Sequence, residues 1–334
     1  MNVLVCGGAG YIGSHAVAEL LKAGHEVVIL DNLQTGHEGA VFEKATFVNG
    51  DLRNIEDLHK LFEHHSIDAV MHFAASSLVG ESVEDPLKYY ENNVYGTMNL
   101  LKVMAAQDVD RIVFSSTAAT YGEPEEVPIV ETAPTVPTNP YGETKLAVEK
   151  MLKWAEQAHG IRHVVLRYFN VAGAHPEFDI GEDHQPETHL VPIILQVALG
   201  QREHISIFGD NYPTPDGTCI RDYIHVIDLV HAHMLALDHL QEGKESSIFN
   251  LGNGQGFSVK EMIEAAREVT GHDIPAKLAP RRAGDPAQLI ASSAKAQKEL
   301  GWEPKYTQMK DIIATAWEWH QKNPSGYKRT TNIL

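Results

Sequence analysis

The chain has 334 residues and a formal net charge of −18, from 27 Lys and Arg against 45 Asp and Glu. Hydrophobic residues are 43% and charged residues 22%, values that exclude wholesale disorder. The acidic balance argues against a nucleic-acid partner, whose phosphates need a basic field, and against an acidic membrane surface. No run of about 18 apolar residues occurs, so no membrane span is expected. Two cysteines, Cys6 and Cys219, cannot build a disulfide framework, and a cytoplasmic protein is expected. The 19 histidines are scattered. His231 and His233 point to different sides of a helix and His64–His65 lie in a polar stretch, so no metal site is expected.

In chain order, Val3–Cys6, Val27–Asp31, Thr46–Val48, Ala69–Phe73, Ile112–Ser115 and Val164–Tyr168 read as buried strands. Ile12–Ala23, Ile55–His64, Tyr89–Ala106 and Tyr141–His159 read as the helices between them. The alternation predicts an α/β fold, a doubly wound parallel sheet of the Rossmann type. Asn139 as N-cap, Pro140 in the first turn and Gly160 as stop frame the fourth helix. Beyond Tyr168, residues 171–190 and 209–222 are rich in Pro, Gly, Asp and His and read as long loops. Helices resume over 190–199, 226–240, 258–270, 294–300 and 308–321. A boundary at 170 separates a dinucleotide-binding domain, 1–170, from a smaller α/β substrate domain, 171–334, with room for the chain to cross back.

The first strand runs into Gly7-Gly8-Ala9-Gly10-Tyr11-Ile12-Gly13. Gly7 permits the tight turn, Gly10 lets backbone N–H groups approach a pyrophosphate, and Gly13 lets the helix pack close to the sheet. The helix N-terminus adds free donors and partial positive charge. Asp31 ends the second strand. A carboxylate there accepts both ribose hydroxyls and repels a 2′-phosphate, which favours NAD over NADP. Asp51, after the third strand, is placed either for the adenine amino group or as a helix N-cap.

Tyr141-Gly142-Glu143-Thr144-Lys145 puts a phenol and an ammonium on one helix face. A neighbouring ammonium favours the phenolate, giving a base able to take an alcohol proton while hydride leaves the same carbon. Ser115-Ser116-Thr117 follows a strand, at the ligand edge of such a sheet. Thr117 is suited to bond the reacting oxygen and relay its proton to Tyr141.

Together the loop Gly7–Gly13, the run Ser115–Gly122, the Tyr141–Lys145 pair and Arg167-Tyr168-Phe169-Asn170 resemble the extended short-chain dehydrogenase/reductase family. The resemblance spans essentially the whole chain. Tyr212-Pro213-Thr214, Arg221-Asp222-Tyr223-Ile224-His225-Val226 and Pro280-Arg281-Arg282-Ala283-Gly284-Asp285 narrow it to the sugar-nucleotide epimerases of that family. The resemblance implies an isomerase that interconverts UDP-glucose and UDP-galactose at C4 through a transient 4-keto sugar. It implies NAD held by Gly7, Gly10, Tyr11, Ile12, Gly13, Asp31, Asn32, Asp51, Leu52, Phe73, Ala74, Ala75, Asn92, Ser115 and Phe169. Thr117, Tyr141 and Lys145 would be catalytic, with Lys145 also on the nicotinamide ribose. Asn170, His189, Leu190, Phe208, Arg221, Arg282 and Asp285 would hold the UDP-hexose, the two arginines supplying local positive charge. A homodimer packed through helices 89–106 and 141–159 is also implied.

Four positions depart from the family pattern. Thr117 replaces a serine, Ser77 a lysine near the cofactor, and His189 an asparagine. Leu289 replaces a tyrosine that crowds the sugar pocket, which opens UDP-GlcNAc as a further substrate. A 4,6-dehydratase or decarboxylase is the rival enzyme. A dehydratase needs an acid beside the hydroxyl residue, and here Ala118-Ala119 follow Thr117. A non-catalytic NAD sensor would have no need of Thr117, Tyr141 or Lys145.

Overall fold

The computed structural model describes residues 1–281 and 286–327. The six expected strands are present: β1 (Asn2–Cys6), β2 (Glu26–Asp31), β3 (Thr46–Asn49), β4 (Ala69–His72), β5 (Arg111–Thr117) and β6 (Arg162–Tyr168). They pair in parallel in the order 3-2-1-4-5-6. Val3, Leu4, Val5 and Cys6 are all fully buried, as strands covered on both faces require. On one face lie α1 (Tyr11–Lys22) and a later helix, Val226–Gln241. On the other lie α2 (Ile55–His64) and two longer helices, Gly96–Ala106 and Pro140–His159.

The helix expected over Tyr89–Ala106 is present and runs unbroken from Pro86, but its middle is wound as a π-helix and a short extra helix precedes it. A short α3 (Val79–Glu84) and α4 (Pro86–Tyr89) lead into a π-helical stretch, Tyr90–Tyr95, before α5 (Gly96–Ala106). Asn93, inside the wide turn, is 2% exposed. It accepts from the Ser76 amide at 2.8 Å and donates to Thr144 Oγ1 at 3.1 Å. The π turn thus points an amide between β4's exit and the helix that follows β5, and such turns often mark functional sites. That helix, α6 (Pro140–His159), starts as expected: Asn139 Oδ1 accepts from the Gly142 amide at 2.9 Å, and Gly160 stops it at φ +71.

After β6 the chain builds a second layer. β7 (Asn170–Ala172), β8 (Ile205–Phe208), β9 (Ile220–Arg221) and β10 (Tyr223–His225) form small paired ribbons, with β7 against β10. Helix α7 (Leu190–Ala198) enters this lobe and α8 (Val226–Gln241) leaves it to cover the main sheet beside α1. Then β11 (Ser247–Leu251) pairs with β6 as the seventh parallel strand, from Ser247 against Val164 to Leu251 against Tyr168. β12 (Phe257–Ser258), α9 (Val259–Thr270), β13 (Ala276–Ala279), β14 (Gln288–Leu289), α10 (Ala294–Leu300) and α11 (Met309–Lys322) complete the chain. Leu195, Met262, Ile312 and Ile313 from α7, α9 and α11 form the core of the second lobe. Buried Asp222, between β9 and β10, accepts from the amides of Asn253, Gly254 and Ala291, tying three segments together. Among the described residues no helix is long and apolar enough to cross a membrane.

Candidate active site

The strand order reverses between β1 and β4, which opens a crevice at the carboxyl ends of the strands. Gly7 follows β1 with φ +80, and a Cβ on it would lie 2.7 Å from the Ala74 amide nitrogen. A Cβ on Gly13 would lie 2.0 Å from the Gly7 carbonyl oxygen. These two glycines are therefore dictated by backbone approach. Gly10 is different: it is the N-cap of α1, and a Cβ there would meet only the Gly7 oxygen at 3.4 Å. Nothing in the protein itself demands glycine at that position.

Asp31 ends β2 and is 8% exposed. It accepts from the Ala9 amide at 3.0 Å and the Leu33 amide at 2.8 Å, and burial raises its pKa against those bonds. A carboxylate has about four lone-pair sites, so two amides leave room for further donors. Asp51 is not a helix cap: Asn54 caps α2 by accepting from the Glu56 amide. Asp51 instead accepts from Asn32 Nδ2 at 2.8 Å and from the Arg53 guanidinium at 2.6 Å. Arg53 holds its carboxyl well below the usual carboxylate range. Leu52 is buried and packs toward Gly96, so its side chain serves the core. Asn92 donates to Ser76 Oγ at 3.1 Å, and Phe73, Ala74, Ala75 and Phe169 are half-buried at the ends of β4 and β6. Tyr11 and Ile12 open α1, and the Tyr11 hydroxyl donates to the Gly173 carbonyl at 2.6 Å.

Thr117 ends β5, where its hydroxyl accepts from the Ala119 amide at 3.1 Å and lies near enough to the Tyr141 phenol to draw its pKa down. Lys145, one turn along α6, is 4% exposed and donates to the Ser115 carbonyl at 2.8 Å. The sequence reading has Lys145 lowering the pKa of Tyr141. In the protein alone burial is the stronger influence and pushes the phenol up to about 12, against the pull of Thr117. Burial also brings Lys145 down to about 7, against the charge of Glu149. Ser115 does not offer its hydroxyl to the crevice. That group donates to His233 Nε2 at 2.7 Å, because His233 Nδ1 is spent on the Leu229 carbonyl at 2.9 Å.

Under Lys145 lies a buried pair absent from the sequence reading. Glu149 accepts from Arg167 Nε at 3.0 Å and from Ser116 Oγ at 2.5 Å. Arg167 also donates to Tyr121, whose hydroxyl donates to Asn250 Oδ1 at 2.7 Å. The residue types were visible, but only the fold brings α6, β5, β6 and β11 together around them.

Next to Asn170 a cavity of about 220 Å³ is lined by His189, Leu190, Phe208 and Arg221, all expected, and by Thr188 and Cys219, which were not. Arg221 donates to the Pro286 carbonyl at 2.9 Å. Arg282 and Asp285 lie outside the described residues. Leu289 is half-buried in β14, paired with Arg221, and is not part of this cavity's wall. Of the scattered histidines, buried His15 and His72 each make a single hydrogen bond, whereas His225 and His233 are buried with both ring nitrogens bonded. Glu182, His184, Glu187 and His189 also converge within 4.8 Å. The overlooked signal was their spacing, Glu-x-His-x-x-Glu-x-His.

A glycine-turn crevice beside a Thr–Tyr–Lys group defines a dinucleotide-dependent enzyme acting on a carbinol. The model for the NAD dependent epimerase/dehydratase family matches residues 3–252, and the chain belongs to that family. It is 63% identical to a UDP-glucose 4-epimerase of Halalkalibacterium halodurans over 98% of each chain. It is equally similar, at 63%, to a crystal structure of a UDP-glucose 4-epimerase with a TM-score of 0.97, covering 98% of this chain and 100% of that one. The Bifidobacterium longum UDP-glucose 4-epimerase, solved with NAD+ and UDP, is 42% identical with a TM-score of 0.92, covering 98% and 100%.

Proposed function

We propose that this protein is an NAD-dependent epimerase that interconverts UDP-glucose and UDP-galactose at C4. The observation that carries the reading is the Thr117–Tyr141–Lys145 group at the crevice edge, next to the cavity of Asn170 and Arg221. The residues fit NAD. Gly10 at the α1 N-terminus accounts for itself once a pyrophosphate rests there, and Asp31 keeps acceptor capacity for ribose hydroxyls. Asn32 with Asp51 faces the adenine end, and Phe73 to Ala75, Asn92 and Phe169 line the rest. Ser115 serves through its carbonyl on Lys145.

When bound, NAD supplies the hydride acceptor and donor for C4. Tyr141 takes the 4-hydroxyl proton, with Thr117 bridging the reacting oxygen and the phenol. Lys145 would hold the nicotinamide ribose, and a cationic nicotinamide beside Tyr141 would favour the phenolate that burial opposes. Arg221, with Arg282, Asp285, His189 and Leu190, anchors the sugar nucleotide, so the 4-keto hexose is free to turn over before Tyr141 returns the proton. No carboxylate follows Thr117: the turn Ala118–Tyr121 has none, which leaves dehydration without its acid. The test is UDP-galactose incubated with the purified protein. UDP-glucose should form without stoichiometric NADH, and loss of water from the sugar would refute the reading.

Leu289 stands outside the wall of the described cavity, so the case for a broader substrate range rests only on the bulky ring that a leucine lacks. Steric exclusion discriminates strongly, whereas a roomy pocket rejects a smaller sugar only weakly. UDP-GlcNAc should be epimerised beside UDP-glucose, and Leu289→Tyr should cut the UDP-GlcNAc rate at least about tenfold while sparing UDP-glucose. Equal loss on both sugars would remove Leu289 as a gate.

A cytoplasmic homodimer completes the proposal. Val83, Leu87, Tyr90 and Trp154 are exposed on α3, α4, the π turn and α6, which pack together. An apolar patch of this kind is a docking surface in many oligomers. Leu87→Glu is expected to shift sedimentation from dimer to monomer. A wild-type monomer at micromolar concentration would end this part of the proposal.

A further inference from the structure

Four side chains in the loop before α7 meet at one point. His189 Nδ1 lies 3.0 Å from Glu182 Oε1 and 2.9 Å from Glu187 Oε1. His184 Nδ1 lies 3.2 Å from Glu182 Oε1 and 3.7 Å from Glu187 Oε2. All four ligating atoms fall within 4.8 Å of one another. Both carboxylates are withdrawn from water, with side chains 5% and 4% exposed. His184 Nδ1 is also shielded from solvent and faces both carboxylates without a well-aligned hydrogen bond to either.

We propose that Glu182, His184, Glu187 and His189 bind a divalent transition metal ion, with zinc as the best match. A tetrahedral zinc with bonds of about 2.0–2.1 Å spaces its ligands about 3.3 Å apart, inside the range these atoms span. Two imidazoles, neutral once they ligate, and two carboxylates suit a borderline-soft dication and cancel its charge. Glu187 Oε1 further accepts from the Thr188 and His189 amides at 2.8 Å, the kind of supporting bond that orients a ligand. The Tyr11 ring packs edge-on to His184, with centroids 6.2 Å apart.

The ion's work is structural. No described strand or helix runs between Gly181 and His189, so an ion would fix the loop that carries Thr188, His189 and Leu190 into the cavity wall. It would also join that wall to the first turn of α1 through Tyr11. The four ligands complete a tetrahedron, so no position is left for chemistry on the sugar.

The experiment uses the full-length protein purified without added metal, stripped with a chelator and titrated with zinc. Elemental analysis of the zinc-loaded protein should give one ion per chain. His184→Ala should weaken zinc binding at least about a hundredfold, as expected when one of four ligands is lost. Zinc should raise the thermal unfolding midpoint of the wild type and not of the variant. Cobalt loaded into the wild type gives a readout that needs no variant: an intense tetrahedral visible spectrum is expected. No saturable zinc binding below about 100 μM, equal affinity in His184→Ala, or a pale octahedral cobalt spectrum would each overturn the proposal. The four groups would then be two imidazolium–carboxylate pairs.

Discussion

Tyr141→Phe is expected to lower kcat at least about a thousandfold while leaving the dissociation constants for UDP and NAD within about threefold. The ring keeps its place at the start of α6, and only the oxygen beside Thr117 is lost. The pH profile adds a second reading. A base works only when deprotonated, so below its working pKa the wild-type rate should fall about tenfold per pH unit. Burial raises this phenol and bound cofactor opposes that rise, so the wild-type rate should climb with pH up to the working pKa. The residual rate of the variant should lack that climb. A Tyr141→Phe enzyme within tenfold of wild type would move the base to another group.

Arg167→Met is expected to destabilise the fold by about 3–5 kcal/mol, the cost of leaving a buried charge without its partner. Glu149 and Arg167 side chains are each only 4% exposed, and the pair bridges α6 to β6. Urea unfolding with an unchanged slope should report it directly. Adding Glu149→Gln to Arg167→Met should recover most of the loss, because the stranded charge disappears with it. A single variant within 1 kcal/mol of wild type would show that the carboxylate finds water. The double variant carries a further test, since Glu149 opposes the burial that discharges Lys145. Its activity should fall even where its stability returns.

Strands β1, β2, β4, β5 and β6 were legible as short apolar runs covered on both faces, edge strand β3 by its Thr-Phe-Val run although it is only half-buried, and the glycine turn and α6 carried their own end signals. The π turn at Tyr90–Tyr95 was not, because a one-residue change in hydrogen-bond register leaves the apolar spacing nearly unchanged. β11 was missed for another reason. Ser247-Ile248-Phe249-Asn250-Leu251 is short, and nothing near it in sequence says that its partner is β6. At the site, Thr117, Tyr141 and Lys145 were legible from residue type and spacing, and the structure brings them together. The direction of the Tyr141 pKa was not, because burial is a property of the fold. Ser115 looked like a crevice hydroxyl, but His233, more than a hundred positions along the chain, claims it.

The return of β11 to the main sheet changes what can be cut from this molecule. A piece ending at residue 170 would lack the strand that covers β6 along five residue pairs, from Val164 to Tyr168. It would also lack α8, whose Leu229, Val230 and Leu237 share a core with Val3, Val5 and Leu20. Such a piece would carry a bare apolar sheet edge, a template for sticking to other chains. The cofactor half is thus not a portable module to be swapped onto another substrate lobe. Grafting new specificity here means altering loops between fixed anchors, because the two halves are stitched through the same sheet rather than hinged on a single linker.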